Sequence, residues 1–273
     1  MDIGVLGCAG RMGRAIIEVA LETDGVRLVG GCERPGHEQI GRDLGAVVGR
    51  EALGTVVSDD AEALIERADA VIEFSAPEPT LAHAALCAEH LCAHVIGTTG
   101  LGAEQRAQLA KTALLTPIVF APNMSQGVNL LLDIVRQVAA ALDDSFDIEV
   151  VEVHHGRKVD APSGTALALG QAAAKGRGVA FDEVAVLSRE GITGARKRGD
   201  IGFATLRGGD VVGEHTVVFA GAGERVEVTH KATDRAIFAR GAVRAACWAA
   251  KQGPGLYGMA DVLGLKKPGE AAR

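Results

Sequence analysis

The feature that most constrains this chain is a glycine-rich loop near its start. Gly7-Cys8-Ala9-Gly10-Arg11-Met12-Gly13 follows a buried-strand pattern over 3–6 and precedes a helical pattern over about 14–22. Glycines at such a junction let the chain turn sharply and let a pyrophosphate approach the backbone, while the helix start offers free N–H groups. The spacing is G-x-x-G-x-x-G, since Ala9 replaces the second glycine of the strict motif. An ordinary tight turn is the alternative, but the strand–helix context favours a dinucleotide site.

Two charged residues after the second predicted strand bear on the cofactor. Glu33 lies twenty residues beyond Gly13, where an acid can accept hydrogen bonds from the adenine ribose of NAD. Arg34 follows it and can pair with the 2′-phosphate of NADP. Because the two residues favour different cofactors, the sequence predicts NADH or NADPH and does not decide between them.

The order of apolar patterns predicts the fold class. In the first half, short strand patterns alternate with helical ones, which implies right-handed crossovers and a parallel sheet. The strand patterns there cover 27–32, 70–74, 94–97 and 117–121, and the helical patterns cover 80–89, 104–112 and 127–142. Later strand patterns at 146–153, 201–206, 211–220 and 225–229 lie close together, which is typical of an antiparallel or mixed sheet. We expect an α/β chain with a Rossmann-type parallel sheet domain and a second α+β domain with a mixed sheet.

Composition argues against several classes of function. The chain has 273 residues, 48% of them hydrophobic, and a formal net charge of −7, which predicts a folded soluble protein that does not bind nucleic acid. Five cysteines without a framework spacing and no signal-peptide pattern predict a cytoplasmic location. No apolar run reaches the roughly 20 residues that span a membrane. The last residues, 266–273, are expected to form a frayed polar tail.

Small and hydroxyl side chains follow two successive predicted strands. The first loop is Gly97-Thr98-Thr99-Gly100 and the second is Ala121-Pro122-Asn123-Met124-Ser125. Because the carboxyl ends of parallel strands form the ligand crevice of a doubly wound sheet, both loops can contact a nicotinamide ring. Ordinary turn chemistry is the alternative.

The segment 152–166, Glu-Val-His-His-Gly-Arg-Lys-Val-Asp-Ala-Pro-Ser-Gly-Thr-Ala, is the most informative. His154 and His155 end a strand pattern and would point to opposite faces, which suits separate tasks better than one metal. Lys158 and the backbone amides at the start of the next helix (Ser163, Gly164 and Thr165) together form what we call the carboxylate receptor, since both attract anions. The alternative is a pair of surface histidines and a simple helix cap at Ser163.

A second histidine cluster tests the expectation that the chain holds no metal. His83, Cys87 and His90 lie at i, i+4 and i+7 of a helical pattern, one face of a helix, and zinc takes such ligands. Cysteine and alanine are also common packing residues of a helix that covers a sheet, so we expect no metal site there.

These segments together resemble the dihydrodipicolinate (4-hydroxy-tetrahydrodipicolinate) reductase family of bacterial lysine and diaminopimelate biosynthesis. The resemblance is strongest from His154 to Ala166, and it extends through the glycine loop, Glu33-Arg34, both strand-end loops and later runs such as Gly213-Glu214-His215-Thr216. It implies a homotetramer with a dinucleotide-binding domain over 1–125 and 235–273, and a substrate-binding and tetramerisation domain over 126–234. It also implies reduction of a small cyclic dicarboxylate by NADH or NADPH, with loss of water.

The resemblance carries residue roles onto matching positions. His154 would donate or accept a proton and Lys158 would donate one. His155, Ser163, Gly164 and Thr165 would bind the substrate carboxylate. The residues expected to bind the cofactor are Gly7, Cys8, Ala9, Gly10, Arg11, Met12, Glu33, Arg34, Gly97, Thr98, Thr99, Ala121, Pro122, Asn123 and Met124.

Two departures and two alternatives accompany the resemblance. Arg157 stands where relatives often carry a further histidine, and Met124 replaces an aromatic residue of many relatives. Another amino-acid or semialdehyde dehydrogenase would not require the carboxylate receptor. A non-catalytic NAD(P)H sensor would keep the glycine loop but would have no reason to keep His154 and Lys158.

Overall fold

The computed structural model describes residues 1–265, so the predicted polar tail lies outside the described residues. The chain divides into two compact units, one of Met1–Gln126 with 236–265 and one of Gly127–Arg235. All five cysteines carry free thiols. Within residues 1–265, none of the helices combines the length and the apolar character that crossing a membrane requires.

The first unit is a seven-stranded parallel sheet with helices. Its strand order is β12-β6-β5-β4-β1-β2-β3, and every neighbouring pair is parallel. Its strands are β1 (Asp2–Leu6), β2 (Arg27–Cys32), β3 (Val57–Ser58), β4 (Ala70–Glu73), β5 (Ala93–Ile96), β6 (Pro117–Phe120) and β12 (Gly255–Tyr257). Its helices are α1 (Arg11–Leu21), α2 (Leu44–Val47), α3 (Ala61–Ile65), α4 (Pro77–Glu89), α5 (Ala103–Thr112), α9 (Ala236–Ala249) and α10 (Met259–Val262). This arrangement confirms the Rossmann-type sheet.

Local sequence explains where these elements begin and what they bury. Strands β4 and β5 are buried along their whole length, as expected for strands covered on both faces. Helix α4 begins at Pro77, three residues before the predicted start, because proline at the first helical position costs no hydrogen bond. The alanine-rich helix α9 packs closely: a Cβ on Gly241 would lie 1.8 Å from the carbonyl oxygen of Met124.

The second unit is a five-stranded mixed sheet, in the order β11-β10-β7-β9-β8. Its strands are β7 (Asp147–His154), β8 (Ala185–Val186), β9 (Ile201–Arg207), β10 (Gly213–Gly221) and β11 (Glu224–Ala232). The helices of this part of the chain are α6 (Gln126–Ala141), α7 (Gly164–Arg177) and α8 (Phe181–Val184). Strand β7 runs antiparallel to β10 and parallel to β9. The mixed sheet expected after residue 142 is therefore confirmed.

Strand β7 carries both core and polar groups on one face. Ile148 and Val150 are fully buried in a cluster with Ala166, Leu169 and Ala173 of α7. Two and four residues further along the same face follow Glu152 and His154, which are also buried. The start of α7 thus lies beside the polar end of β7.

Candidate functional site

The glycine loop joins β1 to α1 as the sequence predicts. The amide of Gly7 donates to the carbonyl oxygen of Cys32 at 2.8 Å and the amide of Gly10 donates to that of Gly7 at 3.1 Å. A Cβ on Gly13 would lie 2.2 Å from the Gly7 carbonyl oxygen, so only glycine lets helix and loop approach this closely. Gly10 has no side chain to cap α1, which leaves the first amides of the helix, from Arg11 on, available to an anion.

The predicted cofactor residues at this loop take different positions. Cys8 is fully buried in the core, and burial raises the pKa of its thiol to about 12, so its side chain does not face a ligand. Glu33 follows β2, and its Oε1 accepts a hydrogen bond from the amide of Ala9 at 2.9 Å. Arg34 is exposed. The acid predicted for the ribose is therefore held against the glycine loop.

A cavity of about 360 Å³ lies where β4, β5 and β6 end. It brings together seven of the residues predicted to bind the cofactor: Met12, Gly97, Thr98, Thr99, Pro122, Asn123 and Met124. Phe74, Ser75 and Phe238 also line it, although sequence reasoning assigned them no role. Gly97 is required by this wall, because a Cβ there would lie 2.2 Å from a Phe74 ring carbon. The hydroxyl and amide groups of this lining, together with the start of α1 beside the cavity, fit a dinucleotide with a flat ring.

The ends of the strands around this cavity are joined by hydroxyl groups. The hydroxyl oxygen of Thr98 accepts hydrogen bonds from the Ser75 amide at 3.1 Å and from the Thr80 hydroxyl at 3.0 Å. Asn123 Oδ1 accepts from the amide of Ser125 at 2.9 Å. Thr98 therefore joins its loop to the end of β4 and to α4, and Asn123 shapes its own loop. Thr99 is exposed.

A buried carboxylate lies behind Ser75. Glu73 accepts hydrogen bonds from the Ser75 hydroxyl, from His83 at 2.9 Å and from His94 at 2.9 Å. Although its burial opposes the change, the two histidines hold the pKa of Glu73 well below its usual value. His83, one member of the predicted zinc alternative, is thus bound to Glu73, and residues 1–265 contain no group of three or more side chains arranged to hold a metal.

In the second unit, Glu152 connects the residues of the informative segment. It is 1% exposed, and one carboxylate oxygen accepts from the Ser163 amide at 3.0 Å while the other contacts His154 Nδ1. Arg207 donates to both oxygens, at 2.8 and 2.9 Å. The carboxylate therefore holds the predicted proton donor and the start of α7 in one network.

Charges and burial set the protonation of this network. Although burial opposes the change, Arg207, then His154 and the Ser163 amide, lower the pKa of Glu152. Burial lowers the pKa of His154, as do the charges of Lys158 and Arg207, while the bond to Glu152 opposes that shift. An ionised Glu152 fixes the hydrogen of His154 on Nδ1, so the other ring nitrogen can exchange a proton with a ligand.

His215 is a further member of the network. Its run is part of the resemblance, but the sequence predicted no role for it. It pairs with Glu152 across β10 and β7, its Nε2 lies 3.1 Å from the Ser163 hydroxyl, and its ring meets that of His154 edge-on at 5.0 Å. Burial, followed by the charge of His154, lowers its pKa to about 4, so the ring is neutral near pH 7. Ser163 caps α7 by accepting from the Ala166 amide at 3.1 Å. Its amide and hydroxyl are thus already bound within the protein.

The remaining predicted substrate residues surround the end of β7. Lys158 Nζ lies 2.8 Å from Asp160 Oδ1, and Gly164 is exposed at the first position of α7. His155 lies outside β7, with its Nε2 3.4 Å from Arg235 Nη2. Arg235 adds a cation next to His155 that sequence reasoning did not consider.

Two family models together match nearly the whole chain. The one described as dihydrodipicolinate reductase, N-terminus, matches residues 1–124, and the one described as dihydrodipicolinate reductase, C-terminus, matches residues 127–263. A 4-hydroxy-tetrahydrodipicolinate reductase from Ruegeria pomeroyi is 58% identical over 96% of this chain and 98% of its own length. Its counterpart from Afipia carboxidovorans is 56% identical over 97% of each chain.

Solved structures share the fold. A dipicolinate-bound dihydrodipicolinate reductase from Paenisporosarcina sp. TG-14 has a TM-score of 0.77 and 24% identity, covering 96% of this chain and 99% of that chain. An amine dehydrogenase from Mycobacterium smegmatis has a TM-score of 0.58 and 16% identity, covering 94% of both chains. At these identities the similarity establishes a common architecture.

Proposed function

Because this chain belongs to the dihydrodipicolinate reductase family, we propose that it reduces 4-hydroxy-tetrahydrodipicolinate to tetrahydrodipicolinate. The reaction consumes one NADH or NADPH and one proton and releases water, within lysine and diaminopimelate biosynthesis. The observation that carries the proposal is the Glu152 network, which holds His154 and the start of α7 together. Lys158 lies near enough for its charge to lower the pKa of His154. A sensor that only bound the nucleotide would not need these groups.

The first unit supplies the residues for the nicotinamide cofactor. The amides from Arg11 on would hold the pyrophosphate at the start of α1. Glu33 would accept hydrogen bonds from the adenine ribose and Arg34 would pair with a 2′-phosphate, so we expect both NADH and NADPH to be used. The nicotinamide ring would contact the cavity at the ends of β4, β5 and β6. Phe74 and Phe238 give that cavity aromatic walls beside Met124, which replaces an aromatic residue of many relatives.

The second unit supplies the groups for the dicarboxylate. Lys158 and the start of α7 attract one carboxylate, through a positive charge and through the partial positive charge of the helix end. His155 and Arg235 lie together and would bind the substrate from a second direction. The Ser163 hydroxyl caps α7, so we assign it to holding the receptor in place and assign the direct contacts to Gly164 and Thr165.

The reduction requires a proton as well as a hydride. Loss of the ring hydroxyl as water would give a conjugated imine, to which the bound cofactor would supply the hydride. Negative charge that develops in the ring must be neutralised, and His154 is the group that can donate a proton near neutral pH. Glu152 orients that ring and stabilises its protonated form. Lys158, which the resemblance also implies as a proton donor, keeps the substrate in place and adds positive charge near the developing anion.

The experiment that tests the proposal is an assay of cofactor oxidation. The unstable substrate is generated in place by the synthase that condenses pyruvate with aspartate semialdehyde, and absorbance at the reduced nicotinamide band is followed. We expect oxidation of both NADH and NADPH that depends on the synthase. If neither cofactor is consumed, the proposed reaction is refuted, and if substrate-independent binding of NADH persists, the sensor alternative takes its place.

We propose further that the protein is a cytoplasmic homotetramer. Strand β11 is at the edge of the second sheet and most of its residues are exposed. The free backbone N–H and C=O groups of such an edge can pair with a strand of another chain. Leu206 and Val226 add exposed apolar side chains to this unit. Light scattering of the purified chain should give four times the mass of one chain. A monomer at micromolar concentration would contradict the assembly without bearing on the reaction.

A further inference from the structure

The carboxylate receptor contains a carboxylate of the protein itself. Asp160 Oδ1 lies 2.8 Å from Lys158 Nζ, the group that attracts the substrate carboxylate in the proposed function. The two residues are separated only by Val159, which is almost fully exposed. The Asp160 side chain is 53% exposed and that of Lys158 is 21% exposed, so the pair faces solvent from a loop.

The same carboxylate also interacts with the second part of the receptor. The pKa of Asp160 is lowered mainly by the hydrogen bond with Lys158, and the backbone amide of Gly164 contributes to the lowering. Asp160 therefore stays ionised near pH 7 and interacts with both the lysine and the start of α7. These are the two kinds of donor that would meet a substrate carboxylate.

The backbone of this loop is fixed while the carboxylate is not buried. Arg207 Nη2 donates to the carbonyl oxygen of Asp160 at 2.7 Å, and Arg207 is itself held by Glu152. The side chain can leave Lys158 by rotation, without a movement of the backbone. Because exposed ion pairs contribute little stability, such a rotation costs little.

We propose that Asp160 occupies the carboxylate receptor in the free enzyme and that the substrate carboxylate displaces it. Asp160 then sets the affinity of the receptor, because it competes with every carboxylate ligand. Only a ligand that binds Lys158 and the start of α7 better than Asp160 does can displace it. This inference rests on the proposed function for the identity of the substrate, and concerns how that substrate enters.

Direct binding of pyridine-2,6-dicarboxylate to the full chain in the presence of NADH tests the inference, because this aromatic dicarboxylate is not reduced. Calorimetric titration should give a dissociation constant about two- to five-fold lower for Asp160→Asn than for the wild type, the factor that corresponds to an exposed ion pair. The matched control is Asp182→Asn, which removes an exposed carboxylate of α8 and should leave the constant unchanged.

A double-mutant cycle with Lys158→Gln separates occupancy from simple repulsion of an anion. If Asp160 competes for Lys158, Asp160→Asn should tighten binding much less in the Lys158→Gln background than in the wild type. Equal tightening in both backgrounds overturns the inference, as does weaker binding by Asp160→Asn, which would make Asp160 a support for Lys158. Absence of dicarboxylate binding by the wild type also overturns it.

A failure of this inference can be distinguished from a failure of the proposed function. Binding of the dicarboxylate requires no turnover, so a wild type that binds it but does not oxidise NADH or NADPH refutes the proposed reaction and leaves this inference standing. A wild type that turns over while Asp160→Asn leaves both the dissociation constant and KM unchanged refutes this inference alone.

Discussion

Replacement of Glu152 by glutamine should slow turnover and change its pH dependence. One oxygen of Glu152 faces the Ser163 amide, and the other faces His154 Nδ1 and Arg207 Nη1. Glutamine can keep the first acceptor but places an NH2 group opposite two other donors. The His154 ring can then accept from that NH2 only through an unprotonated Nδ1, so the variant disfavours the imidazolium form.

The expected magnitude follows from the bond that is lost. A hydrogen bond between charged groups contributes about 1.5–3 kcal/mol, which corresponds to a loss of about 10- to 150-fold in kcat if His154 must be protonated. Glu152 raises the pKa of His154 against the effect of burial. Removal of Glu152 therefore lowers the pKa of His154 further. As pH rises, the variant should lose its activity at a lower pH than the wild type does.

The assay is kcat against pH with saturating NADPH, and the chain offers a matched control. Glu149 lies on the opposite face of β7 and is held by Arg189 and Arg196 at 2.8–2.9 Å. Glu149→Gln breaks a comparable ion pair without touching His154, so it should keep the wild-type profile. The proposed role of Glu152 is refuted if Glu152→Gln retains kcat within two-fold and an unshifted profile, or if both variants lose activity equally.

Three further predictions concern other parts of the molecule. Lys158→Ala should lose most turnover while binding NADH normally, and an unchanged kcat would remove Lys158 from its role. Gly97→Ala should weaken NADH binding about tenfold or more in a fluorescence titration, because a Cβ 2.2 Å from the Phe74 ring distorts the cavity wall. The control is Gly102→Ala, whose Cβ would meet nothing closer than 3.7 Å. Equal losses of affinity in the two variants would contradict a specific role of Gly97. Burial lowers the pKa of His215 from 6.5 to about 4. Between these two pH values the unfolded chain binds a proton at this residue and the folded chain does not. The free energy of unfolding should therefore decrease by up to about 3 kcal/mol as pH falls from 6.5 to 4. Urea unfolding at pH 7.5 and 4.5 measures this, and an equal pH dependence in His215→Asn would exclude His215 as its source.

The sequence predicted those features that depend on neighbours along the chain. Alternating strand and helix patterns led to the parallel sheet, and the glycine loop led to the start of α1. Elements with no period of their own were missed, such as β3 with two residues. The limits of longer elements differed by a few residues, for example at α1, which begins at Arg11 instead of near residue 14.

The partners of the site residues were beyond the reach of the sequence. Glu152 and His154 stand two residues apart, but Arg207 follows Glu152 by 55 residues, and His215 meets it only through the register of β10 against β7. Phe238 reaches the cavity from α9, far along the chain from the strand-end loops. Sheet register and helix packing determine these contacts, and the local pattern of apolar and polar residues predicts neither of them.

The shared face of β7 has a consequence for how the length of this chain can vary. Every second residue of β7 lies on this face. The first two, Ile148 and Val150, belong to the core, and the next two, Glu152 and His154, belong to the polar network. An insertion or deletion of a single residue within β7 would exchange its two faces and turn the histidine away from α7. The irregular segment 187–200 has no alternating faces, and its hydrogen bonds with β7 come from Arg189 and Arg196, so its length can change away from these two residues. We therefore expect natural variants to differ in length there and to keep all eight residues of β7.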